Sequence, residues 1–203
     1  MSRRAKSKRE LARKRGSRRI RKKILIVCEG SRTEPIYWDE VRLYFRTPST
    51  FVEVCGPECQ SDPVAVAKYA IKKRNESKDD PYDRVFCVVD ADVPHRLQTA
   101  LSDPRFADCS FAISSPCFEY WILCHFESTD SPFTDCQGVV NRIRLARNFP
   151  AYQKNNRKSI KQLTSRIELA VENIDRVRRR DTGDEQIPFS TADYLINLLA
   201  GET

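Results

Sequence analysis

Short apolar runs alternate with amphipathic segments along the first half of the chain. Four of the runs have the length and the Val, Ile, Phe and Cys content of buried strands, and they cover residues 23–28, 51–55, 85–89 and 109–113. The segments between them predict helices at residues 36–45, 64–75 and 94–101. Because strands and helices that alternate in this way form βαβ units, we expect a mainly parallel sheet with helices on both faces.

The pattern changes at Pro116, after which no further strand is evident. Apolar residues at helical spacing predict helices at residues 118–126, 139–147, 160–178 and 191–199. We therefore predict an α/β protein of the Rossmann type, with a mainly parallel sheet covered by helices. Its C-terminal third, residues 116–203, is expected to be a mostly helical extension of the same domain.

The length and composition fit one domain, which we expect to span residues 22–203. No apolar run approaches the roughly 20 residues of a membrane span, and the charged N-terminus lacks the apolar core of a secretory signal. We expect a cytoplasmic protein without a membrane partner, whose eight cysteines are reduced thiols. Cys55 and Cys59 have the spacing of zinc ligands but lack a second pair at suitable spacing, so no zinc site is expected.

Positive charge is concentrated at the N-terminus. Residues 1–23 hold thirteen Lys and Arg against one acidic residue, whereas the remaining 180 residues hold 23 basic and 27 acidic residues. Repulsion at this density predicts a disordered or weakly helical tail over residues 1–21. The tail is either a solubilising arm or an arm that binds nucleic-acid phosphates. In the second case the contacts are expected from Arg13, Lys14, Arg15, Arg18 and Arg19.

Acidic residues follow two of the predicted strands at their carboxyl ends. Glu29 and Gly30 come directly after the first strand, and Asp90 and Asp92 follow the third. If these strands are neighbours at the point where strand order reverses, the three acids converge on one crevice. Carboxylate oxygens suit Mg²⁺ or Mn²⁺ held against a phosphate, and Glu34 is a further candidate ligand. The alternative is that Asp-x-Asp is ordinary turn chemistry after a strand.

Several polar residues outside the carboxylate group are also candidates. Glu119 either stabilises the N-terminus of its helix or belongs to the site. His125 is either a core-edge histidine bonded to a carbonyl or a general acid or base beside the metal. Lys154 is the best candidate for stabilising negative charge on a transferring phosphate. Arg157 and Lys158 are either part of a solvated face or part of a nucleic-acid-binding rim.

Several ordered blocks of the chain resemble the RloB family, which is related to the Toprim fold of topoisomerases, primases and OLD-type nucleases. The blocks are Val27-Cys28-Glu29-Gly30-x-x-Thr33-Glu34-x-x-Tyr37, Pro116-x-Phe118-Glu119-x-Trp121-x-Leu123-x-His125-Phe126, Tyr152-x-Lys154 and Pro188-x-Ser190-Thr191. The resemblance covers the chain from about residue 22 to its end. It implies a Toprim-like nuclease effector of phage defence or abortive infection, with an ABC/OLD-type ATPase as a partner.

Three functional hypotheses follow from these patterns. The first is a nuclease that uses Mg²⁺ or Mn²⁺ to hydrolyse RNA or DNA, with Glu29, Asp90, Asp92, Lys154, His125 and Glu119 as its catalytic group. The second is a non-catalytic module that binds nucleic acid or an ATPase, in which the acids are structural. The third is a primase-like or nucleotide-processing activity. An oligomer is compatible with each of them.

Overall fold

The fold is taken from a computed structural model, which describes residues 22–55, 59, 62–145, 147–180 and 187–201. Its helices and strands follow one another in this order: β1 (Ile24–Cys28), α1 (Thr33–Tyr44), β2 (Thr50–Val54), α2 (Pro63–Glu76), β3 (Arg84–Asp90), α3 (Pro94–Ser102), β4 (Cys109–Ser115), α4 (Phe118–Cys124), α5 (Cys136–Ile143), α6 (Arg157–Leu163), α7 (Ile167–Arg180), β5 (Phe189–Ser190) and α8 (Ala192–Gly201). The expected mixed α/β class is confirmed, and the first four strands lie at the predicted places.

The strands form one sheet in the order β2-β1-β3-β4-β5. The first four strands are parallel, and β5 pairs antiparallel with β4. From β1 the chain passes first to β2 on one side and then to β3 on the other, so strand order reverses between β1 and β3. In open α/β sheets a crevice at the carboxyl ends of the strands opens at this point. The acids predicted to form a site follow these two strands.

Helices cover both faces of the sheet, which is why its central strands are apolar without interruption. In β1, Ile24, Ile26 and Cys28 pack into one core together with residues of α1, α4 and α7. Leu25 and Val27 point to the other face and pack with residues of α2 and α3. All five residues of β1 have no exposed surface. Burial on both sides fixes the register of β1, because a shift by one residue would exchange the two faces.

The C-terminal third differs from the prediction at three places. The helix predicted at residues 139–147 begins and ends earlier, at Cys136–Ile143. Residues 160–178 do not form one continuous helix, since a 3₁₀ turn at Thr164–Arg166 separates α6 from α7. The expectation of no strand after Pro116 was wrong for β5, whose two residues pair with Ser114 and Ser115. A strand of two residues is too short to produce an alternating pattern in the sequence.

Two further expectations concern the N-terminal tail and the absence of a membrane span. The predicted tail, residues 1–21 with Arg13, Lys14, Arg15, Arg18 and Arg19, lies outside the described residues. Among the helices that are described, none combines the length and the hydropathy needed to cross a bilayer.

Candidate metal centre

Glu29 and Asp90 meet at the carboxyl ends of β1 and β3. The backbone N–H of Glu29 donates to the carbonyl of Val88 at 3.0 Å, which extends the pairing of the two strands by one step. In return, the backbone N–H of Asp90 donates to Glu29 Oε2 at 3.3 Å. The parallel pairing of β1 with β3 thus brings the two acids together across the strand boundary.

Glu34 joins this pair from the first turn of α1. Its side chain is 5 % exposed, and its Oε2 accepts a hydrogen bond from the backbone N–H of Gly30 at 3.1 Å. A Cβ at position 30 would lie 2.6 Å from Glu34 Oε1, which is closer than nonbonded atoms approach. Gly30 is therefore required for the close approach of the Glu34 carboxylate to the backbone after β1.

Glu119 and Lys154 complete a cleft of about 390 Å³ at this edge of the sheet. Glu119 lies in the first turn of α4, and its Oε1 is 3.1 Å from Lys154 Nζ. The residues that line the cleft are Gly30, Ser31, Arg32, Thr33, Glu34, Asp90, Phe118, Glu119, Lys154 and Asn155. Glu34, Asp90 and Glu119 from three different elements thus face the same space, with two cationic side chains beside them.

Glu29 is not among the residues that line the cleft, although it contacts Asp90. Burial and neighbouring carboxylates together set the proton affinity of Glu29, Glu34 and Asp90. Burial raises the pKa of Glu29 to about 7 and that of Asp90 to about 8, and neighbouring carboxylates add to both shifts. Burial, assisted by the charge of Asp90, also raises the pKa of Glu34 well above its ordinary value. Asp90 Oδ1 is fully buried and has no hydrogen-bond partner within the described part of the chain. The cleft therefore contains a buried carboxyl oxygen without a hydrogen-bond partner among the described residues, on a group whose ionisation is opposed by burial and by its acidic neighbours.

These shifts predict how stability depends on pH when no metal is present. Between about pH 5 and pH 8, folded Glu29 and Asp90 retain protons that the unfolded chain has lost, so the free energy of unfolding should fall as the pH rises. The melting temperature in chelator should fall over this range. The fall should be smaller in Asp90→Asn, which cannot ionise at that position. The exposed Glu168→Gln should reproduce the wild-type slope, and an equal slope in Asp90→Asn would contradict the prediction.

Asp92 does not line the cleft with Asp90. β3 ends at Asp90, and the backbone N–H of Ala91 donates to Ser114 at 2.9 Å before the chain bends away from the sheet. The side chain of Asp92 is exposed. Alternation along a strand would have placed the two aspartates on the same side, but it stops where the strand stops. Asp92 still lies close enough to raise the pKa of both Glu29 and Asp90.

His125 lies in the core and does not contribute to the cleft. It has no exposed surface. Its Nε2 is 3.1 Å from the Tyr37 hydroxyl, and its Nδ1 is 3.0 Å from the carbonyl of Trp121. Burial lowers its pKa to about 4, so the ring is neutral at neutral pH. Both ring nitrogens are engaged, which matches the core-edge alternative and corrects the expectation of an acid or base beside the metal.

The basic residues after Lys154 are divided between structure and surface. Arg157 bonds to Asp39 and Glu40 of α1 at 3.0 and 2.7 Å, so its guanidinium ties α6 to α1. This engagement gives Arg157 a structural role, and its assignment to a nucleic-acid-binding rim stays a prediction. Lys158 is exposed, as that assignment requires. Asn155 also lines the cleft, which the sequence did not predict. Its backbone is left-handed, with φ 67°, a conformation in which Asn is enriched among non-glycine residues.

The cysteines also differ from the expectation of reduced thiols. Cys55 is joined to Cys59, and Cys117 is joined to Cys136 across 19 residues of sequence. The second pair borders the cleft, because Cys136 Sγ lies 3.1 Å from Glu119 Oε2 and 3.3 Å from Lys154 Nζ. Cys28, Cys87, Cys109 and Cys124 are free.

A larger cleft, of about 730 Å³, lies at the opposite ends of the strands, where β3 and β4 begin. Two of its acids are already engaged: Asp108 contacts Arg74 at 2.9 Å, and Asp83 accepts from the backbone N–H of Lys23 at 2.7 Å. The smaller cleft is the better candidate for chemistry, since it holds an unsatisfied carboxylate and several acids with raised pKa values.

One of three comparisons with known proteins finds a match. Neither the search of curated proteins nor the search of solved structures finds a match. A family model described as "RloB-like protein" matches residues 24–199, which include every strand and the whole cleft. The chain belongs to the RloB-like family.

Proposed function

We propose that this RloB-like protein is a nuclease that depends on a divalent metal ion and hydrolyses phosphodiester bonds of RNA or DNA. The observation that supports it most directly is Asp90 Oδ1, a buried carboxyl oxygen without a hydrogen-bond partner among the described residues. It lies at the strand-order reversal, beside carboxylates from β1, α1 and α4. Ionising a buried carboxyl is unfavourable, which raises the pKa of Asp90 to about 8, and a bound cation would stabilise the ionised form.

The donor set suits Mg²⁺ or Mn²⁺. Carboxylate oxygens are the ligands that these hard cations prefer, and Glu29, Glu34 and Asp90 would hold the ion. Burial, and after it the repulsion between neighbouring carboxylates, raises their pKa values, and a bound cation would offset both effects. Asp92 lies within electrostatic range and would add to the negative potential that attracts the metal. When bound, the ion would lower the pKa of a water ligand and neutralise charge on a phosphate oxygen.

Lys154 and Glu119 have complementary roles in this proposal. The Lys154 ammonium lines the cleft and would stabilise negative charge on the phosphate during hydrolysis. Glu119, which is 7 % exposed in its side chain, holds that ammonium at 3.1 Å. Because Glu119 also lines the cleft with Asp90 and Glu34, it holds the Lys154 ammonium next to the carboxylates of the site. Arg32, at the start of α1, would provide a further contact with the nucleic-acid backbone.

Membership of the RloB-like family supports a biological setting in phage defence, to which this family is often linked. We propose that the nuclease is the effector of such a system and that an ABC/OLD-type ATPase encoded nearby controls it. The alternative is a non-catalytic module that binds nucleic acid or the ATPase. The concentration of basic residues in residues 1–21 favours that alternative over a nucleotide-processing activity.

The direct test is co-expression with the neighbouring ATPase gene under phage challenge, followed by sequencing of cleaved DNA and tRNA ends. Wild-type protein should protect the cell and produce new ends. Asp90→Asn should abolish both, because the ligand that the metal site needs most is lost. Asp92→Ala should reduce both by less, since it removes only a charge outside the cleft that acts on Glu29 and Asp90. Glu168→Gln, a matched change on the exposed face of α7, should behave as wild type. Protection by Asp90→Asn without cut ends would favour the binding module.

A change at Gly30 should disturb the same site without removing any ligand. The Cβ of Gly30→Ala would displace the Glu34 carboxylate and break its 3.1 Å hydrogen bond. We expect the affinity for Mn²⁺ to fall by about 10- to 100-fold, as for other residues that orient metal ligands. Calorimetric titration of the purified chain would measure it. Gly138→Ala is the control, since its Cβ would meet nothing closer than 3.5 Å. Equal affinities in the two variants would contradict the role of Gly30.

A further inference from the structure

Two cysteines and one carboxylate converge at the border of the cleft. Cys117 immediately precedes α4, Glu119 lies in the first turn of that helix, and Cys136 opens α5. One ligand atom from each residue lies within 4.8 Å of the other two. Cys117 and Glu119 are buried, and Cys136 is half-buried. The three residues come from two segments that only the tertiary fold brings together.

The surroundings of Cys136 suit a thiol or thiolate better than a disulfide. Its Sγ is 3.1 Å from Glu119 Oε2 and 3.3 Å from Lys154 Nζ. A disulfide sulfur has no hydrogen to donate, so a carboxylate oxygen at that distance gains nothing from it. A thiol can donate to the carboxylate. A thiolate can accept from the ammonium, and it can share a cation with the carboxylate.

We propose that, in the reduced chain, Cys117, Glu119 and Cys136 bind a thiophilic divalent cation of the Zn²⁺ type. Thiolate ligands select zinc over Mg²⁺ and Mn²⁺, which the oxygen-only acids of the cleft prefer. Two thiolates and one carboxylate carry three negative charges, which the zinc ion and the Lys154 ammonium together balance. Three protein ligands leave one position of a tetrahedral site for water. The proposal does not depend on nuclease activity.

The chemistry requires the disulfide to be opened first. A thiol or phosphine reductant supplies two electrons, the S–S bond breaks, and each sulfur takes up one proton. Zinc then displaces these two protons into solvent as two Zn–S bonds and one Zn–O bond form. Oxidation of the pair would prevent binding, so disulfide and zinc are mutually exclusive states of the same residues.

Cobalt titration of the full-length chain, reduced with a phosphine, tests the site. The spectrum should show thiolate-to-cobalt charge-transfer absorption that reaches its maximum at one equivalent of Co²⁺ per chain. The absorption should disappear on addition of Zn²⁺ but not of Mg²⁺. To remove the other pair, the titration is done in the Cys55→Ser/Cys59→Ser background. Cys117→Ser and Cys136→Ser should each lose the signal, and Glu119→Gln should weaken it. Cys109→Ser, a change at a half-buried free thiol, should leave it unchanged.

Alkylation of the unmutated chain provides a second measurement if a serine variant fails to fold. Zn²⁺ should suppress iodoacetamide labelling of Cys136, read by peptide mass spectrometry, and leave Cys109 labelling unchanged. No charge-transfer signal and no protection in the fully reduced chain would overturn the proposal and leave Cys117–Cys136 as a structural disulfide only. Because neither readout involves cleavage, this failure would be distinct from failure of the proposed nuclease.

Discussion

Millimolar Mg²⁺ or Mn²⁺ should raise the melting temperature of the chelator-treated protein by roughly 5–10 °C at a pH of about 8. Glu29, Glu34 and Asp90 lie beside one another where β1 and β3 end and α1 begins, and Asp90 Oδ1 is buried without a hydrogen-bond partner among the described residues. A cation that binds only the folded chain relieves this repulsion and stabilises the fold by mass action. Differential scanning fluorimetry across a metal titration would measure the shift.

Variants of the acids should separate metal binding from a general effect of salt. Glu29→Gln and Asp90→Asn should lose most of the shift. In chelator they should also melt above the wild type, because each removes one charge from the crowded cluster. Glu168→Gln, at an exposed position of α7, should keep the full response. Equal shifts in the wild type and in the two site variants would show that the cations act elsewhere.

Much of the fold could be predicted because burial on both faces leaves a clear mark on the sequence. β1 is a continuous apolar run because its side chains pack alternately into the cores on the two faces of the sheet. Such runs identified the four parallel strands, and parallel pairing was enough to bring Glu29 beside Asp90. β5 was not predicted because its two residues carry no alternating pattern and form a strand only by pairing with β4. The break between α6 and α7 was not predicted either, because the 3₁₀ turn at Thr164–Arg166 is itself helical.

The rest of the site depends on helix packing, which spacing along the chain does not determine. Glu119 reaches the cleft because α4 is fully buried against the sheet. His125 was ambiguous for the same reason, since its partner Tyr37 lies 88 residues earlier, on α1. The pairing of Cys117 with Cys136 likewise has no signature in their spacing. Asp92 was misplaced because the strand that would have aligned it ends at Asp90.

Deleting residues 1–21 should separate binding through the tail from binding at the cleft. The deletion removes eleven Lys and Arg, while the apolar core begins at Ile24, so the fold should be retained. The remaining residues 22–203 hold 25 basic and 27 acidic residues, and this slightly acidic body should not attract a polyanion when no metal is bound. In chelator, we therefore expect nearly all affinity for nucleic acid to be lost with the tail.

The salt dependence of binding makes this expectation quantitative. If Arg13, Lys14, Arg15, Arg18 and Arg19 each contact a phosphate, the slope of log K against log salt should become shallower by about 4–5 units on deletion. Fluorescence anisotropy with a labelled DNA duplex in chelator would measure both slopes. Lys158→Ala, a single change on the exposed face of α6, is the control and should alter the slope by at most about 1 unit. An unchanged slope after deletion would mean that the tail contacts something other than nucleic acid, and a partner protein would then be the first candidate.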